Sequence, residues 1–109
     1  MDSILNTIKK MLGIDISYTA FDVDIIVCIN TAFFVLQQLN VGPTEGFRIF
    51  DSSSVWDDFS TRADIEAIKS YVYLKTRVQF DPPSSSFVLD AMKNQIQEYE
   101  WRLNVQCDS

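Results

Sequence analysis

Residues 80–86 read Phe-Asp-Pro-Pro-Ser-Ser-Ser, and no other stretch constrains the fold as much. The spacing predicts a helix over about 62–79 before it and a second over about 87–103 after it. A residue that precedes proline avoids the helical region, so the first helix must stop at the break. Ser84, Ser85 and Ser86 then offer caps for the second. Two helices joined by so short a connection lie nearly antiparallel and share a core. On the first, Ile65, Ala67, Ile68, Tyr71, Val72, Leu74 and Val78 form an apolar arc, with Thr61 and Asp64 in capping positions. On the second, Val88, Leu89, Met92, Ile96, Tyr99 and Leu103 form the matching stripe. Two residues fit this scheme badly. Lys75 falls inside the apolar arc, where its stem can pack while its head reaches a carboxylate or a neighbouring subunit. Trp101 falls off the stripe among Asp90, Asn94, Gln97 and Glu98, as an exposed interface anchor would.

The upstream half reads as helical too. Asp2 or Ser3 caps a short helix carrying Ile4, Leu5, Ile8, Met11 and Leu12, and Gly13 stops it. After a connector, Asp22 reads as an N-cap, with Phe21 poised to staple onto the first turn. The helix that follows, about 23–39, has a wide apolar face of Ile25, Ile26, Ile29, Ala32, Phe33, Leu36 and Leu39, which Val27 and Phe34 extend. Such breadth suggests a central helix covered on more than one side, by the domain itself or by another copy. Gly42-Pro43 ends it. Residues 44–54 are the least helical part, and Phe47-Arg48-Ile49-Phe50 reads as a loop or short extended segment. It either covers the core with Phe47 and Phe50 or meets a partner. Ser54-Val55-Trp56-Asp57 has capping-box form and starts a helical turn through Phe59. The expected fold is all-α: one domain, 1–109, a small bundle of about four helices with an insertion around 44–54.

Composition narrows the function more by exclusion than by signature. The 109 residues carry 9 basic and 15 acidic side chains, a formal charge of −6, and no histidine, a balance that disfavours a duplex-binding surface. Lys9, Lys10, Lys69 and Arg77 are the residues a nucleic-acid reading would need. Cys28 reads as a buried thiol and Cys107 as part of a loose polar tail, 104–109, with no disulfide framework. That pattern suits a reducing, intracellular setting. The N-terminus does not have signal-peptide form, and the most apolar run, 23–39, is too short and too polar to span a membrane. Asp57-Asp58 lacks companion ligands for a metal, and the three glycines form no phosphate loop. No catalytic, cofactor-binding or metal-binding residues are assigned. The candidate interface residues are Phe47, Arg48, Phe50, Lys75 and Trp101.

Several short pieces, in order, carry a family resemblance. They are Val41-Gly42-Pro43, Glu45-Gly46-Phe47, Trp56-Asp57-Asp58-Phe59, residues 68–75, Phe80-Asp81-Pro82-Pro83 and residues 100–105. In these the chain resembles the tailed-phage head–tail connectors, the adaptor family also known as phage DNA packaging proteins. The resemblance implies a structural virion protein with no enzyme activity, cofactor or metal. It implies a ring of about a dozen copies, held by head-to-tail contacts between unlike patches. Such a ring docks on the portal protein, extends the DNA channel and meets the next tailward stopper or tail-completion protein. DNA passes through without sequence-specific binding, and the place is the virion neck, after assembly in the bacterial cytoplasm. A different reading is a non-enzymatic helical module that binds another protein through Trp101 or the 44–54 loop.

Overall fold

The computed structural model describes residues 3–43, 46–59 and 65–108, the last four by backbone alone. It is all-α, with helices α1 (Ile4–Met11), α2 (Asp22–Gln38), α3 (Trp56–Phe59), α4 (Ile65–Phe80) and α5 (Ser86–Asp108).

The helix ends follow local chemistry. Ser3 caps α1 by accepting the Asn6 amide on its hydroxyl at 3.2 Å. Gly13 closes α1 at φ +79, with Gly13 N–H donating to Lys10 O and Ile14 N–H to Lys9 O, the double bond of a Schellman motif. The same motif ends α2, but there Asn40 takes the left-handed position at φ 64. Asn40 N–H donates to Gln37 O and Val41 N–H to Leu36 O, while Val41 and Leu36 are both buried. The α2 stop is therefore Asn40, two residues before the expected Gly42. The capping box of α3 is also shifted by one residue. Asp58, not Asp57, reaches back to accept the Val55 amide at 3.0 Å. The Thr61–Asp64 cap expected to open α4 lies outside the described residues.

α4, not α2, is the central helix. It packs against α1, α2 and α5. Its Ile68, Tyr71, Val72, Leu74 and Thr76 are buried, with Ile25, Ile29, Ala32, Phe33 and Leu36 of α2 opposite. α2 is covered on one face only, and Val27 and Phe34, expected to widen its apolar face, are exposed. α5 contributes only Ile96 and Leu103 as fully buried core among its described side chains, and Val88 of the expected stripe is exposed. Its helix also runs on to Asp108 through the tail expected to be loose.

Two contacts set the helix directions. Phe21, just before α2, stacks edge-on against Phe80 at the end of α4, with ring centroids 5.5 Å apart. Asn104 of α5 donates its side-chain amide to Leu39 O, beyond the end of α2, at 3.3 Å. α2 and α5 thus run parallel to each other and antiparallel to α4. The body measures 40 × 35 × 20 Å. α4 packs against both α2 and α5, so these two helices form two edges of a slab with α4 between them.

Candidate interface surfaces

The 46–55 segment is irregular, not a strand, and it is pinned to α2. Asn30 donates its side-chain amide to Ile49 O at 2.9 Å and accepts Ile49 N–H on its carbonyl oxygen at 2.7 Å. This sinks Ile49 completely and turns its neighbours outward. Phe47 folds inward over Phe33 and Phe59, with centroids 5.0 and 5.3 Å away. Arg48 and Phe50 point outward, the guanidinium 5.4 Å from the Phe50 ring centre. Asp51 braces the following turn by accepting Ser53 N–H at 2.9 Å; the hydrogen bonds from Ser53 hold its carboxyl below the usual range. Of the three loop candidates, Phe47 is a core cover, and Arg48 and Phe50 are surface.

Beside this loop lies an open groove of about 540 Å³, floored by Val27, Thr31 and Phe34 and rimmed by Gln37, Phe47 and Arg48. Along the outer face of α2 the exposed residues Val23, Val27 and Phe34 continue the apolar strip. The sequence places Val27 and Phe34 on the apolar face of α2 and leaves open whether the domain itself or another copy covers them; within the subunit they are uncovered. Cys28, expected as a buried thiol, sits only half-buried on the flank of α2; desolvation first and the Asp24 charge second push its thiol up.

Lys75 and Trp101 end on different sides of α5. Lys75 Nζ lies 4.0 Å from Glu100 Oε2, the oxygen that also accepts the Tyr71 hydroxyl at 2.8 Å. Its charge therefore has a structural partner within the subunit. Trp101 faces away from α4 and is 67 % exposed. Phe87, four helical turns earlier and 83 % exposed, shares that outer face. Phe87 was missed because it opens the helix. Its position 14 residues before Trp101, off the stripe, was the signal available.

The basic residues are mostly committed elsewhere. Lys9 is 1 % exposed; it donates to Ile16 O at 3.1 Å and Tyr18 O at 2.7 Å and pairs with Asp22 Oδ1 at 2.8 Å. Asp22 therefore serves this ion pair rather than capping α2, whose N-cap residue Phe21 makes no side-chain bond. Arg77 donates to Asp81 O at 2.7 Å and to the Tyr73 hydroxyl at 3.1 Å, closing the end of α4. Lys69 pairs with Glu66 at 3.5 Å and lies over the Trp56 ring at 5.8 Å. A phosphate-binding surface built on Lys9 is thereby ruled out. Among the described residues no cluster of three His, Cys, Asp or Glu side chains could hold a metal, and no helix is long and apolar enough to cross a membrane.

A family model described as phage connector protein matches residues 4–109, nearly the whole chain. Comparisons with curated proteins and with solved structures give no match.

Proposed function

We propose that this chain, which belongs to the phage connector protein family, is a ring-forming subunit of the virion neck that docks on the portal vertex and extends the DNA channel toward the tail. The family is one of structural proteins rather than enzymes, and membership supports a structural role in joining head to tail. The observation that carries the finer reading is the pair of exposed apolar faces, Val23–Val27–Phe34 on α2 and Phe87–Trp101 on α5. Single exposed apolar residues are ordinary, but two strips on separate edges of a small domain suit contacts with other proteins. A closed ring requires unlike patches of this kind on each subunit. Arg48, Phe50 and Trp101 are the interface candidates this geometry favours, while Phe47 supports the groove wall and Lys75 holds α5 to α4.

The net charge of −6 suits a channel wall that DNA slides past, because like charge repels phosphate. A ring structure with Lys69, Lys75 and Arg77 lining the lumen would overturn that electrostatic role. The assembly itself is tested by measuring mass in solution, alone and with the phage portal added. The expected result is a discrete multi-subunit species on portal, whether or not the free chain is a monomer. A chain that stays monomeric and never binds portal under any condition sinks the reading.

A further inference from the structure

The two apolar strips are matched in level as well as in character. Asn104 bonds to the carbonyl of Leu39, so these two residues share a height along the parallel helices α2 and α5. Counting back from them, Phe34 lies five positions before Leu39 and Trp101 three before Asn104. Val23 lies sixteen positions before Leu39 and Phe87 seventeen before Asn104. At 1.5 Å per residue, the members of each pair differ in height by only about 2–3 Å. The strips thus have anchors at two heights: Val23 with Phe87 near one end of the slab, Phe34 with Trp101 near the other.

The charges complement each other too. The α2 edge carries the exposed cation Arg48 at the groove rim, and among the described residues no acidic side chain lines that groove. The α5 edge carries Asp90 and Glu98 between its two aromatics, both exposed. Glu98 already draws Arg102 at 2.6 Å, but at the surface such a pair is weak and leaves acceptor capacity open. The α2 edge is concave where the groove opens, while the α5 edge presents side chains from a helix.

We propose that the α5 edge of one copy seats in the α2 groove of the next, with Trp101 against Phe34, Phe87 near Val23, and Glu98 facing Arg48. The occupant of the groove is a second copy of this chain. A rotation about an axis running alongside α2 and α5 preserves height, so it brings both anchors into register at once. One such contact, repeated, covers both exposed strips of every subunit. This inference rests on the ring reading above and assigns its lateral interface.

The test is directed cross-linking in a Cys28→Ser, Cys107→Ser background, with Phe34→Cys and Trp101→Cys introduced singly and together. The doubly substituted chain, assembled alone or on portal, is expected to give a ladder of covalent oligomers. Mixing the two single variants should give covalent dimers and nothing larger, and each single variant by itself should give none. A second arm uses charge. Arg48→Glu should lower the assembled fraction about tenfold, and Arg48→Glu with Glu98→Arg should restore most of it. Covalent dimers from a single variant alone would replace this contact with a two-fold one. Rings that form but do not cross-link between positions 34 and 101 overturn the interface and leave the ring reading intact. Failure to assemble under any condition, by chains whose helical circular dichroism is unchanged, overturns both.

Discussion

Asn30 holds Ile49 as a neighbouring strand would, giving a hydrogen bond to its carbonyl and taking one from its amide. A helix side chain thus satisfies both backbone groups of a buried loop residue that has no strand beside it. This one amide ties the loop to α2, while Phe47 within the loop packs against the Phe33 and Phe59 rings. Removing the amide should cost more than an average surface change.

Asn30→Ala is expected to destabilise the domain by about 2 kcal/mol, two hydrogen bonds at roughly 1 kcal/mol each. Asn30→Asp should be no better, since it keeps the acceptor but turns a second oxygen toward Ile49 O. The urea midpoint should fall in both variants, and the Ile49 amide should exchange with solvent far faster. Slow exchange at Ile49 in Asn30→Ala would show that packing, not the amide, holds the loop.

Lys9 offers a sharper test of a buried charge. Lys9→Ala leaves Asp22 and the carbonyls of Ile16 and Tyr18 without their common donor. The expected loss is about 2–3 kcal/mol, below the range for a fully buried pair because Asp22 keeps 24 % exposure. Replacing both partners, Lys9→Met with Asp22→Leu, should recover much of it, since the apolar stem is kept and the lone carboxylate is gone. Thermal melts of the two single variants and the double variant give the coupling directly.

The Tyr71 hydroxyl is pushed well above the ordinary tyrosine value, by burial first and then by its hydrogen bond to Glu100 and the charge on that residue. A raised folded value means that the unfolded chain ionises first. The stabilisation is complete below the unfolded value near pH 10 and is lost as pH rises beyond it, at about 1.4 kcal/mol per pH unit. Tyr71→Phe should remove this share of the alkaline slope while lowering stability near neutrality by about 1 kcal/mol through the lost bond. Urea titrations at pH 8 and at pH 11 compare the two chains. Equal slopes would show that Tyr71 ionises freely in the folded state.

Two glycines with similar backbone angles should respond very differently. A side-chain carbon added at Gly42, φ +92, would collide with the Phe59 ring, whereas one at Gly13, φ +79, would meet nothing within 4 Å. Gly13→Ala is expected to cost about 1–2 kcal/mol, the left-handed backbone penalty alone. Gly42→Ala should cost at least 1 kcal/mol more, because the packed ring must move. Similar melting temperatures for the two variants would mean that Phe59 yields easily.

The helical hairpin and its break were legible because proline acts on its own neighbours, and residues 80–86 needed no distant partner to be read. The α2 stop was displaced from Gly42 to Asn40 for a related reason: asparagine also takes the left-handed position, and glycine is the louder signal. Which helix lies at the centre was not legible. α2 is the more apolar helix, yet α4 is the one surrounded, because centrality depends on how many elements pack on a helix rather than on its own face. In the sequence Lys9 stands out only as a cation that a nucleic-acid surface would need; its burial depends on the path of residues 14–22, which periodicity does not describe. Trp101 was identified as off the stripe by helical geometry alone, and its exposure agrees. Lys75 stands out in the sequence as a charge inside the apolar arc, and its partner Glu100 sits 25 residues away on another helix, a pairing no local pattern encodes.

The N-terminal helix leans on residues that are made much later. Ile4 N–H donates to Ser54 O at 3.0 Å, and the Trp56 indole donates to the Thr7 hydroxyl at 3.2 Å. An isolated eight-residue helix is unstable in water. Helix α1 is made before residues 54–56 and cannot settle until they have followed it. Synthesis order and folding order are reversed at this end, and a chain stalled before Trp56 would expose Ile4, Leu5 and Ile8 together as a sticky surface for chaperones to bind.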